Sequence, residues 1–176
     1  FTGKVIRIDI DAEQMQRRTI PDVSLLGDSR ITLTALAQKL NVSSSNSGNV
    51  RATELRKSAR AGVRQDLLPW IDAMEQVIPK ETTIALDSTQ LAYAAHTVMA
   101  CDTPRSWLAP FGFGTLGCAL PMAIGAAVAD STKPVLAIVG DGGWLFTVAE
   151  MAAAIDEGVH MVMVLWDNRG YAQIRE

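Results

Sequence analysis

The sequence is poor in the residues that most often announce a chemistry. It has two cysteines, Cys101 and Cys118, far apart and in no metal-ligand spacing. That excludes a disulfide framework and makes a reducing, cytoplasmic setting the expectation. Its two histidines, His96 and His160, are isolated, and each reads as a structural or surface residue. There is no charge excess: the formal net charge of −3 removes any global electrostatic reason to expect a nucleic-acid partner. The one basic concentration, RATELRKSARAGVR at 51–64, is broken by a glutamate and alanines and reads as a solvated linker or helix face. No apolar run reaches the roughly 18 residues of a membrane span, and no charged-then-apolar leader opens the chain, so no membrane partner is expected. The chain opens on FTGKV without a methionine and stops just after a strand and turn, which reads as a segment of something larger.

What is present reads as globular. The 176 residues are 48% apolar and 20% charged, enough for one core, or one core and a piece of another. KVIRIDID alternates as a strand does. RRTIPDVSLLGD brings a proline turn and a short apolar run. SRITLTALAQKL reads as a helix with Ser29 as a possible N-cap. The Ser/Asn/Gly cluster NVSSSNSGNV then marks a boundary. Residues 1–41 read as the tail of one α/β domain, 42–65 as a linker, and 66–176 as a second domain, incomplete at its C-terminus.

In that second domain DLLPWIDAMEQVIP reads as a helix, TTIALD as a buried strand and QLAYAAHTVMA as a helix. FGFGTLGCALPMAIGAAVAD starts glycine-rich and becomes a small-residue helix. PVLAIVG is an apolar strand, WLFTVAEMAAAIDEG one helix stopped by Gly158, and HMVMVLWDN another strand. Apolar strands alternating with helices predict an α/β fold with a parallel sheet covered by helices on both faces.

Ligands in such sheets sit beyond the carboxyl ends of the strands. Three ends carry polar residues: LDSTQ at 86–90, GDGG at 140–143 and WDNRGY at 166–171. One helix joins the second to the third, so the right-handed crossover makes them parallel neighbours. Gly140 and Gly142 permit a tight strand-to-helix corner and close backbone approach. The amides of Gly142 and Gly143 lie at a helix N-terminus, where an anion is welcome. Asp141 would repel that anion unless a cation stood between them. A hard metal removes the conflict, with Asp141 and the Asn168 amide as oxygen ligands, and Mg²⁺ suits few protein ligands plus phosphates. The motif therefore predicts a metal-bridged diphosphate. The plainer reading is an Asp-Gly turn with Asp141 as an N-cap.

Gly-Asp-Gly at 140–142, then the Asp-Asn pair at 167–168 followed by Gly170 and Tyr171, resembles the signature of the thiamine-diphosphate-dependent enzymes of the acetolactate synthase and 2-oxoacid decarboxylase group. GFGTLGCALPMAIGAAVAD resembles the stretch that precedes it there, and VIRIDID with GDSRITLTAL resembles the end of that family's central domain, so the likeness covers nearly the whole chain. It implies thiamine diphosphate and Mg²⁺ as cofactors, with Asp141, Asn168 and the Gly170 carbonyl on the metal. Gly142 and Gly143 would donate amides to the diphosphate, and Ser88, Thr89 and Gln90 would hold its other side. The Gly114 carbonyl would accept from the cofactor's amino group, and Leu116 would wedge beneath its bent form. Gly140, Thr115 and Tyr171 complete the set, while Trp144 and Tyr171 read as packing residues more than as contacts with substrate. The implied reaction is decarboxylation of a 2-oxoacid, with protonation or ligation of the carbanion.

The likeness also implies what is lacking. The glutamate that activates the cofactor belongs to a pyrimidine-binding domain of a partner subunit in a homodimer or homotetramer, and no part of this chain resembles that domain. The segment alone is expected to hold no catalytic residue and not to turn over. Asp167 stands where the family pairs two asparagines, and Ser131 where a proline is frequent. DSTQLAY, PRSW and NRGYAQIR look closer to decarboxylases of basic 2-oxoacids, the 5-guanidino-2-oxopentanoate type, than to biosynthetic acetolactate synthases. Two alternatives compete. GFGTLG at 112–117 has the glycine spacing of an NAD-binding Rossmann turn, but only the short SWLAP precedes it. A non-catalytic binding or assembly module of the same fold would have no use for keeping Asp141 and Asn168 together.

Overall fold

The computed structural model describes residues 3–40 and 47–175. The chain divides into two compact units, Phe1–Gly48 and Asn49–Glu176. In the first, strand β1 (Ile6–Asp9) runs parallel to β2 (Val23–Leu26), with Ile6 opposite Val23. A 3₁₀ turn over Ala12–Gln16 lies between them and buries Met15. Arg7 Nη1 holds this turn by donating to the carbonyls of Gln14, Met15 and Arg17 at 3.0, 2.8 and 2.8 Å. Helix α1 (Ser29–Lys39) follows. Its N-cap is Asp28 and not Ser29: the Asp28 carboxylate, on extended backbone, accepts from Ile31 N at 2.9 Å. A carboxylate is the stronger acceptor for an orphan amide at the positive end of a helix.

The expected linker 42–65 differs from what the structure contains. Residues 42–46, with most of the Ser/Asn/Gly cluster, lie outside the described residues. Ser47–Gly62 form a 16-residue helix, α2. Arg56 and Arg60, one turn apart, face acids of helix α3 (Leu68–Val77): Arg56 pairs with Glu75 at 2.7 Å, and Arg60 pairs with Asp72. The helix is held by charge across elements, which a search for apolar periodicity does not register.

The second unit is built on a four-stranded parallel sheet of β3 (Thr83–Leu86), β4 (Trp107–Leu108), β5 (Val135–Gly140) and β6 (Val162–Trp166), in the order β4-β3-β5-β6. The two-residue β4 falls in the stretch read from sequence as too short for a strand. Helix α4 (Gln90–Val98) leads from β3 to β4, and α5 (Ala119–Ala129) leads from β4 to β5. Between β5 and β6 the expected single helix is two, α6 (Asp141–Thr147) and α7 (Glu150–Asp156). At their junction Met151 N donates to Val148 O and Ala152 N to Ala149 O, three-residue bonds that interrupt the α ladder. Gly158, at φ +62°, ends α7 as expected. A short helix α8 (Ala172–Arg175) closes the described chain.

The strands sort their side chains by period two. Ile84, Leu86, Leu136 and Ile138 pack on one face with Leu67, Ile71, Leu91 and Val98. Ala85, Val135, Ala137 and Val139 pack on the other with Ala119, Ala123 and Ala127 of α5. Alanine against alanine brings that helix close to the sheet. β5 is buried along its whole length, whereas edge strand β6 leaves Val162 and Leu165 exposed, so the expected two-sided cover does not extend to it among the described residues. Among the described residues no helix is long and apolar enough to cross a membrane.

Candidate active site

The chain leaves β3 for the β4 edge and then returns across it to β5, so the topological switch lies between β3 and β5. A crevice beyond the strand ends is the consequence. Here it is an open cavity of about 250 Å³. The end of β3 supplies Ser88, Thr89 and Gln90, and the loop before α5 supplies Gly114 and Leu116. The corner after β5 supplies Gly140, Asp141, Gly142 and Gly143, and the end of β6 supplies Asn168, Gly170 and Tyr171. Three stretches far apart in sequence thus meet because β3, β5 and β6 are consecutive in the sheet.

Thr115 is an expected residue that does not line the cavity. Its hydroxyl bonds Leu116 O at 3.3 Å, and its carbonyl accepts from Ser88 Oγ at 3.1 Å. Tyr93 and the α8 residues Ala172, Gln173 and Ile174 line it without having been anticipated. A four-residue helix carries too little periodicity to be read. A second cavity, of about 300 Å³, opens around Thr82 and Ser106, ahead of β3 and β4, and gathers no strand ends.

The glycines at the corner are required by close approach. A Cβ on Gly140 would lie 2.9 Å from Thr89 Oγ1, and one on Gly142 would lie 2.6 Å from the Tyr171 ring. One on Gly143 would overlap the Asp87 carboxylate. Asp141 is not the N-cap of α6, a position held by Gly140; it is the first helical residue. Its Oδ1 accepts from Gly142 N at 2.9 Å and its Oδ2 from Gly170 N at 2.7 Å, which ties the β5 corner to the β6 end. The Gly142 amide, expected to face a diphosphate, is engaged by Asp141. Gly170 presents its amide to Asp141, while its carbonyl, the expected ligand, accepts from Ala172 N at 2.9 Å. A carbonyl retains a second lone pair.

Asn168 Nδ2 donates to Gln90 Oε1 at 3.2 Å. Asn168 Oδ1 and Gln90 Nε2 are both buried and have no partner among the described residues. Each such atom costs about 1–3 kcal/mol when left without a partner, so an acceptor and a donor open in one cavity are available to a ligand or to water. Asp141 and Asn168 Oδ1 make an oxygen-only donor set suited to a hard cation. No three His, Cys, Asp or Glu side chains cluster among the described residues, so such a cation would draw its remaining oxygens from backbone, ligand and water.

Asp87, at the end of β3, is 2% exposed. It accepts from Ser88 N at 2.8 Å and from Gly117 N at 2.9 and 3.0 Å. Burial, outweighing these bonds, raises its carboxyl above the ordinary value. Cys118 Sγ is 4.0 Å away, and burial, with the Asp87 charge second, pushes that thiol up to about 11. The one sequence signal for Asp87 is an acid closing an apolar strand. His96 has the structural duty expected of it: its Nδ1 accepts from Trp107 Nε1 at 2.9 Å, and its ring lies 4.5 Å from that of Phe111. GFGTLG lies in a loop and not at the end of a strand, unlike a dinucleotide turn.

Residues 87–176 match the family described as thiamine pyrophosphate enzyme, C-terminal TPP binding domain. The whole chain aligns at 38% identity with 33% of a protein of Pseudomonas aeruginosa named a probable 2-ketoarginine decarboxylase. At 28% identity, 95% of it aligns with 32% of a probable acetolactate synthase large subunit of Methanococcus aeolicus. An X-ray structure from Mycobacterium smegmatis assigned to the thiamin diphosphate-dependent enzymes superimposes with a TM-score of 0.73 at 19% identity, over 98% of this chain and 34% of that one. The chain thus spans about a third of the length of the curated relatives it matches.

Proposed function

Because the chain belongs to the thiamine pyrophosphate enzymes and carries their C-terminal TPP-binding domain, we propose that it forms the Mg²⁺-dependent cofactor half-site of an enzyme that decarboxylates a 2-oxoacid. The observation that carries this reading is the orphaned Asn168 Oδ1 in the cavity that holds the Asp141 carboxylate. When bound, thiamine diphosphate supplies an electron sink for the electron pair left as CO₂ departs. The protein's part is to hold and orient. Asp141 and Asn168 Oδ1 hold the cation, with the Gly170 carbonyl as a further oxygen. Gln90 Nε2, Ser88, Thr89 and the Gly143 amide face the diphosphate. Gly114 and Leu116 contact the remainder of the cofactor, with Gly140 and Tyr171 closing the sides.

No glutamate lines the cavity among the described residues. Membership of the family supports assigning the acid that activates the cofactor to a pyrimidine-binding domain of a partner subunit, and with it a cytoplasmic homo-oligomer as the working unit. The likeness to a relative named for 2-ketoarginine supports a basic 2-oxoacid of the 5-guanidino-2-oxopentanoate type as substrate. The test is calorimetric titration of the full-length protein with thiamine diphosphate, with and without Mg²⁺, beside Asp141→Ala. Binding that requires Mg²⁺ and is lost in the variant is expected. Metal-independent binding, or binding that survives in Asp141→Ala, would sink the proposed role of Asp141.

A further inference from the structure

We infer that Asp87 is a positioning residue of this site: its buried carboxylate holds the Gly114–Gly117 loop at a fixed place relative to the β5 corner. The inference rests on the proposed reading, in which Gly114 and Leu116 take the thiamine part of the cofactor and the Asp141 and Asn168 side takes the metal and diphosphate. Three backbone segments meet at this one side chain. The first is the end of β3, where Asp87 N donates to Ile138 O of β5 at 2.9 Å and Ser88 N donates to Asp87 Oδ1 at 2.8 Å. The second is the loop, where Gly117 N donates to both carboxylate oxygens. The third is the corner, where Gly143 has no room for a Cβ because the carboxylate stands against it.

Gly117 is held from its other side as well. Its carbonyl accepts from Thr147 Oγ1 of α6 at 2.8 Å. Its φ is +79°, and a Cβ there would lie 2.9 Å from Phe146 Cβ and 3.0 Å from Gly143 O. Asp87 therefore sets the spacing between loop and corner, with its side-chain bonds going to Ser88, Gly117 and Cys118 and to none of the three proposed metal ligands. A carboxylate suits the task because, ionised, it only accepts: backbone amides converge on its two oxygens, joined by the Cys118 thiol at 4.0 Å. An asparagine would turn one of those oxygens into a donor facing a donor.

The test compares two ligands of the full-length protein by calorimetry with Mg²⁺: thiamine diphosphate, which needs the Gly114–Gly117 loop as well as the corner and the end of β3, and inorganic pyrophosphate, which needs the corner and the end of β3 without the loop. In Asp87→Asn we expect affinity for thiamine diphosphate to fall about tenfold or more, and that for pyrophosphate to stay within about twofold. Equal loss for both ligands, or loss for neither, overturns the inference. Thr147→Val releases Gly117 from α6 without touching Asp87 and is expected to show the same selectivity. If Asp87→Asn does not fold, that variant decides by the same criterion. Wild-type protein that binds neither ligand would overturn the parent reading, and this inference with it.

Discussion

At Gly142 and Gly143 the same substitution has two different costs. A methyl at Gly142 meets the far end of Tyr171, whose ring is half-exposed and can swing away. A methyl at Gly143 meets the Asp87 carboxylate, which is buried and held by amides. Gly143→Ala is expected to cost about 2–3 kcal/mol in chemical denaturation and Gly142→Ala less than about 1 kcal/mol. Equal costs would show that Asp87 yields as easily as Tyr171. Asp87 itself also makes stability depend on pH. Its folded carboxyl sits above the ordinary value because burial disfavours the charge. The folded state therefore holds a proton that the unfolded state has released. The stabilisation is complete below the ordinary Asp value and is lost as pH rises through the raised one. Denaturation midpoints of wild type minus Asp87→Asn should fall across that window and be level above it. A flat difference would contradict a raised folded value.

At the scale of elements, the contact of α5 with the sheet is a further constraint on where the loop before it can lie. Ala119, Ala123 and Ala127 on the helix meet Ala85 and Ala137 on the strands, with almost no exposed surface. There is no space between them for a longer side chain. Ala123→Leu should destabilise by about 1–3 kcal/mol through overpacking, read from the denaturation midpoint. It should also weaken thiamine diphosphate binding, because the Gly114–Gly117 loop leads directly into this helix. An unchanged midpoint would mean that the helix can move off the sheet. These elements were partly legible beforehand. Apolar runs such as VLAIVG state a buried strand whatever surrounds them. For helix α2 the sequence left a solvated linker and a helix face both open, because Arg56 and Arg60 gain their partners only when α3 is placed beside them. The break between α6 and α7 was also hidden: Thr147 and Val148 are weak helix formers, but no Gly or Pro interrupts WLFTVAEMAAAID.

For the whole molecule, a ligand that binds only the folded state must raise its stability by mass action. With thiamine diphosphate and Mg²⁺ at a hundredfold excess over Kd, the gain is about 2.7 kcal/mol. The full-length protein should then melt several degrees higher, on the order expected for a domain of this size. Adding a chelator should return the melting temperature to that of the ligand-free protein, and in Asp141→Ala, which also loses the bonds from the Gly142 and Gly170 amides, the cofactor should add no shift to the variant's own melting temperature. A shift that persists with the chelator would argue against a metal-bridged diphosphate. The candidate site was legible because its polar residues are local in three short stretches, LDSTQ, GDGG and DNRGY, each at the end of an apolar strand. Residue types and their order along the chain were sufficient to name Asp141 and Asn168 as candidates. They also established an α/β chain with parallel strands, since hydrophobic periodicity is a property of the chain itself. Only the tertiary structure decided that Gly142 and Gly170 direct their amides to Asp141, that Asn168 leaves one oxygen open, and that Asp87 stands against Gly143. Those facts depend on the strand order β4-β3-β5-β6, which brings backbone segments tens of residues apart within hydrogen-bonding distance. Hydrogen bonds and excluded volume act over a few ångströms of space, and distance along the chain does not report them.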